Sequence, residues 1–363
     1  MNPRRKILLN PGPGTTTNIV KRALVVPDIC PREREFGSVV YQIRRDLLTV
    51  SGADPETHCA VLIAGPGTAA VEAALGSLVP RDGRVLIIEN GAYGERAAEI
   101  ATTLQIPVDV WSLPWTVCPS PVEFAARITA GRFTHAFWVH HETTTGMLTP
   151  LAEYGRICRS CGVVSIVDAM SSFAGLPISL REDAVDFIIS SANKCLQGMP
   201  GVSFVLGPQE LIERSSAIGR TYTLNLARHE ASLINGQFPF TPPVQVLYAM
   251  ACALQETLTE TVAARAARYR ACYSVMLDGM EQLGFRTVLP KALHSQLLTA
   301  FHSHDAPGFS FEQLHDYLYA RDITLYPGKL RHEKSFRVAN IGALTPHDMR
   351  GFIAAVREYL HEN

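Results

Sequence analysis

Val163-Val-Ser-Ile-Val-Asp168 and, further on, Phe187-Ile-Ile-Ser-Ser-Ala-Asn-Lys194 are the stretches that decide how this chain folds. Each opens as a run of apolar and β-branched residues too short for a helix. Each closes on a single charged side chain. Apolar runs without alternation read as strands buried on both faces, which a parallel sheet covered by helices requires. Ligands of such sheets bind just beyond the carboxyl ends of the strands. Asp168 and Lys194 fall at those ends, on successive strands.

Working outward, the same texture runs from Cys59 to about Gly207. Strands are expected over residues 60–64, 84–89, 107–111, 135–139, 163–168, 187–190 and 202–206. Helices are expected over 68–79, 94–104, 121–130 and 151–161, so the class is α/β. Beyond Pro243 the pattern changes. Residues 244–283 read as one long helix with no turn dipeptide inside it. Short strands follow at 286–289, 296–301, 323–326 and 336–338, with a helix from Phe311 and a closing helix from Thr345. There Asp348, three residues on, stands in for the Glu of a capping box. This second, α+β module is joined to the first by the long helix.

The 363 residues are 47% hydrophobic and 18% charged, ordinary for a globular enzyme with a large core. A net charge of −1 gives no reason to expect nucleic acid or an anionic membrane, so any anion must be gripped locally. No run of about 18 apolar residues occurs, and Ile7–Leu9 is too short for a signal-peptide core. A cytoplasmic protein is expected. The eight cysteines are scattered and read as reduced thiols. Cys158-x-x-Cys161 lacks the second pair a zinc site wants. His140-His141-Glu142 lacks the second His of the helical zinc motif, and His302-x-His304 has no third ligand in view, so no metal is expected.

Gly65-Pro66-Gly67-Thr68 follows a strand and opens a helix. Backbone N–H groups there, aligned with the helix dipole, make an anion site, and Thr68 adds a hydroxyl. Taken alone the motif has two readings. Gly65-x-Gly67-x-x-Ala70 with Glu89 at the end of the next strand also fits a dinucleotide fingerprint. The two strand-end charges weigh against that alternative. A pyridoxal-phosphate enzyme needs a lysine for a Schiff base and an anion at the pyridine nitrogen; a nicotinamide enzyme leaves Asp168 and Lys194 without paired roles.

Several segments then carry a family resemblance. They are Gly65–Thr68, Glu142-Thr-Thr-Thr-Gly146, Asp168-Ala-Met-Ser-Ser172 and Ser191-Ala-Asn-Lys-Cys-Leu-Gln-Gly198, with Leu9-Asn-Pro-Gly-Pro-Gly-Thr15 and Phe336-Arg-Val-Ala-Asn-Ile-Gly342 at the two ends. Together they resemble the fold-type I, class V pyridoxal-phosphate aminotransferases, the branch that contains the alanine–glyoxylate and serine–pyruvate enzymes. The resemblance covers essentially the whole chain. It implies a large domain over 16–262 with a mostly parallel seven-stranded sheet, and a smaller α+β domain over 263–363 that takes in residues 1–15.

The resemblance also implies residue roles, with pyridoxal 5′-phosphate as cofactor. Lys194 would carry the cofactor and act as general base, with an amine pKa lowered by burial. Asp168 would pair with the pyridinium nitrogen. Tyr93 would lie on the ring face where the branch often has Trp, Thr143 would bond the phenolic oxygen, and Met170 and Asn193 would complete the cofactor contacts. Gly67 and Thr68 would hold the phosphate, with Pro66 standing where relatives often carry Ser. Thr241, within Phe238-Pro-Phe-Thr-Pro-Pro243, would reach the cofactor phosphate of a neighbouring subunit, which implies a homodimer; Phe238 replaces a Tyr of some relatives. Arg337 would take the substrate's anionic group through two parallel bonds, with Gly12 beside it. Lys329 and Arg331 are candidates for a second cation. The implied reaction moves the amino group of 2-aminoethylphosphonate to pyruvate, giving phosphonoacetaldehyde and L-alanine in phosphonate catabolism. The alternative is serine or alanine with glyoxylate or pyruvate. Cys195 beside the lysine invites a desulfurase reading, but desulfurases keep their working cysteine on a later loop and no cysteine follows Cys272.

Overall fold

The computed structural model describes residues 5–306, 308–328, 330 and 334–362. Its centre is a seven-stranded sheet of β1 (His58–Ala64), β2 (Val85–Glu89), β3 (Val108–Ser112), β4 (His135–Val139), β5 (Val164–Asp168), β6 (Phe187–Ser191) and β7 (Val202–Pro208). The spatial order is β1-β7-β6-β5-β4-β2-β3. Every pair is parallel except the two made by β7, which runs against both β1 and β6. All five residues of β4 and of β6 are buried, as strands covered on both faces must be.

The covering helices include α1 (Arg34–Val50), α2 (Gly67–Leu78), α3 (Ala92–Thr103), α4 (Pro121–Ala130) and α5 (Ala152–Ser160). α1 lies in a part of the chain where the sequence reading placed no element. It packs Phe36, Val40, Ile43 and Leu47 into the sheet's core. α4 starts on a capping box: Ser120 Oγ accepts from Glu123 N–H while the Glu123 carboxylate takes the Ser120 N–H. Among the described residues no helix is long and apolar enough to cross a membrane.

The C-terminal part has its own core, with Leu9 from the N-terminus packed among Phe285, Phe301, Phe336 and Phe352. Its three-stranded sheet pairs β8 (Leu298–His302) and β9 (Tyr326–Pro327) on either side of β10 (Ser335–Ala339). Three expectations need correction here. The stretch 244–283 is two helices, α6 (Val244–Glu260) and α7 (Val262–Gln282), because Thr261 takes φ 68° and ψ 146°. The corner is held by Glu260, whose carboxylate pairs with Arg265 at 2.8 Å and Arg268 at 2.7 Å, both from the following helix. Residues 286–289 make only an isolated bridge, Thr287 to Phe301, and no strand. Residues 323–326 divide at Leu325: Ile323–Thr324 pairs with Ile7–Leu8, and Tyr326–Pro327 turns to β10. The last helix, α8 (Pro346–Glu362), begins as expected, with the Asp348 carboxylate accepting the Thr345 N–H at 2.8 Å.

Candidate active site

Because six strands point the same way, the segments after β1, β2, β4, β5 and β6 gather at one edge of the sheet. Between them lies a cavity of about 490 Å³, lined by Gly65–Thr68, Tyr93, Arg96, Asp168, Met170, Asn193 and Lys194 among others. A narrow extension is walled by His141, Thr143 and Ser171 together with Tyr93, Asp168 and Lys194. Asp168 and Lys194 therefore share a cleft. So do Pro66, Gly67, Thr68, Tyr93, Thr143, Met170 and Asn193.

Asp168 ends β5 with its carboxylate buried. Oδ1 accepts the Met170 N–H at 2.8 Å, which fixes the side chain toward the cavity wall. Burial pushes this carboxyl up to about 6, helped by Glu142 and opposed by the Met170 bond, Lys194 and Arg96. Lys194 is partly buried, and burial pulls its amine down. Its Nζ donates to the Pro11 carbonyl at 2.8 Å, so the N-terminal Pro-Gly turn lies directly on the lysine. A Cβ on Gly12 (φ 135°) would run into the Lys194 chain, and one on Gly67 would strike Met170. Gly12 also holds the left-handed backbone region that favours glycine, whereas at Gly67 the neighbour met is the flexible end of Met170.

α2 begins at Gly67 with Pro66 as N-cap and no side-chain bond across its first turn. The Gly65 N–H is taken by Gly201 O at 2.9 Å and the Ala69 N–H by Pro66 O at 2.9 Å. First-turn amides have no intrahelical acceptor, which leaves Gly67 and Thr68 as the free donors toward the cavity.

Two features escaped the sequence reading. Glu142 is fully buried and sits below the start of α3. Oε1 accepts the Thr144 N–H at 3.0 Å and the Thr144 hydroxyl at 2.6 Å, and Oε2 accepts the Tyr93 N–H at 3.3 Å. Thr144 Oγ1 in turn accepts the Ala92 N–H at 3.1 Å. A carboxylate about fifty residues away in sequence thus caps the helix that presents Tyr93. Burial raises its carboxyl while these bonds, with one from Gly94, pull it down. The second feature is Arg96, one turn after Tyr93 on the same face, with its guanidinium 5.1 Å from the Tyr93 ring centroid. The helical spacing from Tyr93 was the available signal.

Arg337 lies on β10, buried. Nε donates to Pro327 O at 3.0 Å and Nη1 to Thr143 O at 3.1 Å, and the Tyr93 hydroxyl also reaches the guanidinium. Burial lowers its pKa. His141 is buried with Nδ1 against Ser171 Oγ and Nε2 against Ser295 Oγ, each at 2.9 Å, and burial takes it down to about 3, so it stays neutral. Thr241 is exposed and does not line the cavity of its own chain. Lys329 and Arg331 lie outside the described residues.

The dinucleotide alternative fails on topology. Its fingerprint needs the glycine turn and the acid on neighbouring strands of one βαβ unit, whereas β1 and β2 are separated by four strands. Glu89 instead accepts a hydrogen bond from Ser112 Oγ at 2.9 Å. A lysine and a buried carboxylate facing one cleft, with free amides at a helix start beside them, are the arrangement of a pyridoxal-phosphate aminotransferase.

The chain belongs to the Aminotransferase class-V family, whose model matches residues 25–341. Enzymes of this family use pyridoxal 5′-phosphate. The chain is 41% identical over 359 residues to the 2-aminoethylphosphonate--pyruvate transaminase of Syntrophobacter fumaroxidans, covering 98% of this chain and 96% of that protein. It is 37% identical to the enzyme of the same name from Vibrio cholerae, covering 98% of each. Among solved structures it is similar to an alanine--glyoxylate aminotransferase from Nostoc sp., with TM-score 0.90, 25% identity and coverage of 99% and 96%. It also resembles an aspartate aminotransferase from Thermus thermophilus, with TM-score 0.88, 26% identity and coverage of 98% and 99%. The cleft fits the cofactor: Lys194 and the buried Asp168 carboxylate line one cavity, and the free amides of α2 beside them suit a phosphate.

Proposed function

We propose that this enzyme transfers the amino group of 2-aminoethylphosphonate to pyruvate, yielding phosphonoacetaldehyde and L-alanine in phosphonate catabolism. The relatives at 41% and 37% identity over nearly the full chain support the substrate pair. The observation that carries the chemistry is that Lys194 and Asp168 line one cavity at the sheet's carboxyl edge.

Bound pyridoxal 5′-phosphate supplies an aldehyde for amines and a ring that accepts electrons from the substrate carbon. Lys194 Nζ would hold the cofactor between turnovers, and its lowered pKa would leave the amine able to take and return a proton. Asp168, ionised, would hold the protonated ring nitrogen. Gly67 and Thr68 N–H groups bind phosphate, Pro66 shapes the turn, and Met170, Asn193, Thr143 and Tyr93 confine the ring. Arg337 takes the substrate's phosphonate or carboxylate, aided by Gly12, whose turn abuts Lys194. One arginine serves both half-reactions because a guanidinium pairs with either anion through two parallel bonds.

The reading extends to a homodimer whose partner subunit brings Thr241 to the cofactor phosphate. The exposure of Thr241, away from its own cavity, supports it. The separate C-terminal core and the break at Thr261 support domains over 16–262 and over 263–363 with 1–15. The free cysteines support a reducing, cytoplasmic setting.

The test is the absorbance of the purified protein with and without 2-aminoethylphosphonate. A band near the visible edge that bleaches with this donor, recovers with pyruvate and is absent in Lys194→Ala is the expected result. A preference for serine or alanine with glyoxylate by orders of magnitude would overturn the substrate assignment.

A further inference from the structure

Beside the free amides of α2, a side chain the family motifs do not point to faces the same space. We propose that Arg96 binds the phosphate group of the cofactor; the inference rests on pyridoxal 5′-phosphate occupying this cavity.

Charge makes the first argument. A phosphate monoester carries between about −1.5 and −2 at neutral pH, while a helix N-terminus offers roughly half a positive charge. Of the donors at this turn, the Gly65 and Ala69 amides are spent on backbone carbonyls. Pro66 brings neither an N–H nor a hydroxyl. Lys194 directs its Nζ to the Pro11 carbonyl and not to the turn. Arg96 is the other cation among the described residues lining the cavity.

Geometry makes the second. Arg96 Nη1 lies 3.4 Å from Thr68 Oγ1, which puts the guanidinium at the phosphate turn and not merely near the cavity. No described carboxylate forms an ion pair with it. Its bond to Thr68 is long and made to a neutral acceptor, so most of the fork's five donors are left for an anion. The guanidinium carbon lies over the Tyr93 ring, 5.1 Å from its centroid, a contact that uses none of those donors. Glu142 anchors the start of α3 and thereby fixes where both Tyr93 and Arg96 stand. A guanidinium placed at this turn with most of its donors unspent can bond phosphate oxygens bidentately.

The test compares two ligands that differ only in the phosphate. The full chain, stripped of cofactor, is titrated with pyridoxal 5′-phosphate and with pyridoxal, following the absorbance band. In Arg96→Met, which keeps the stem over Tyr93, affinity for the phosphorylated ligand should fall roughly ten- to hundredfold, as expected for a lost charged hydrogen-bonding partner. Affinity for pyridoxal should change less than about twofold, since that ligand never made the contact. Arg96→Lys should lie between, keeping charge without the fork. Equal losses for both ligands, or no loss for either, overturn the proposal. A higher KM for the phosphonate donor with unchanged cofactor affinity overturns it too, by assigning Arg96 to the substrate. If Arg96→Met does not fold, Arg96→Lys decides alone: it must discriminate less between the two ligands than the wild type does. A wild-type protein that binds neither ligand refutes the cofactor assignment instead, which keeps the two failures distinct.

Discussion

Asp168 and Glu142 are both buried acids at the same edge of the sheet, and in both burial raises the carboxyl pKa. They differ in what surrounds them. Asp168 spends one oxygen on the Met170 N–H, no described donor bonds Oδ2, and the side chain lines the cavity. Glu142 is enclosed by donors on both oxygens, all from Thr144 and the first turn of α3. A buried carboxylate with spare acceptor capacity facing open space is stored for a ligand. One that is saturated is a strut. Burial and pKa direction alone do not tell them apart; the count of satisfied lone pairs does.

Isosteric amides should separate the two roles. Asp168→Asn keeps the oxygen that accepts from Met170 but loses the charge that holds the ring nitrogen's proton. Transamination should fall by about 10²–10³-fold, the usual range for removing one preorganised electrostatic partner. Its urea midpoint should hold steady or rise, because a poorly solvated charge has gone. Retention of activity within about threefold would break the comparison.

Glu142→Gln should show the reverse pattern. An amide must turn its NH₂ toward Thr144 or toward the Tyr93 and Gly94 amides, setting donor against donor. Each bond left unmade costs about 1–3 kcal/mol, so the denaturation midpoint should drop clearly. Activity should fall less than in Asp168→Asn, because Tyr93 shifts without being removed. An unchanged midpoint would show that the cap carries no weight.

This contrast also explains how much was legible in the sequence. Asp168 and Lys194 stand out because a strand's apolar run names its own end, and parallel topology sends every such end to one edge. The phosphate turn is equally local: two glycines and a threonine opening a helix. The capping role of Glu142 is not local. Its partners sit about fifty residues earlier, and only the packed sheet brings β2's exit beside the turn after β4. Arg96 was accessible through helical phase once Tyr93 had been placed. The break at Thr261 gave no signal, since Thr rarely takes positive φ and the ion pairs around Glu260 come from the fold. Thr287 failed as a strand residue because only one bridge forms there before Pro290.

The finest test is pH. In the cofactor-free protein the Asp168 carboxyl is raised from 3.8 to about 6, so folding favours its neutral form. For a raised acid the sign is fixed: its contribution to stability is full below about 3.8 and is lost as pH rises through about 6. Cofactor binding, by contrast, asks for the ionised form. Affinity for pyridoxal 5′-phosphate should therefore weaken as pH falls below about 6, by up to about tenfold per unit. The cofactor's own phosphate titrates in the same range, and Glu142 is raised as well, so the wild-type profile alone is ambiguous. The difference between wild type and Asp168→Asn removes both contributions, since the variant retains Glu142 and binds the same phosphate. A slope as steep in Asp168→Asn as in the wild type would show that the open acid contributes none of the pH dependence and undo the distinction between the two acids.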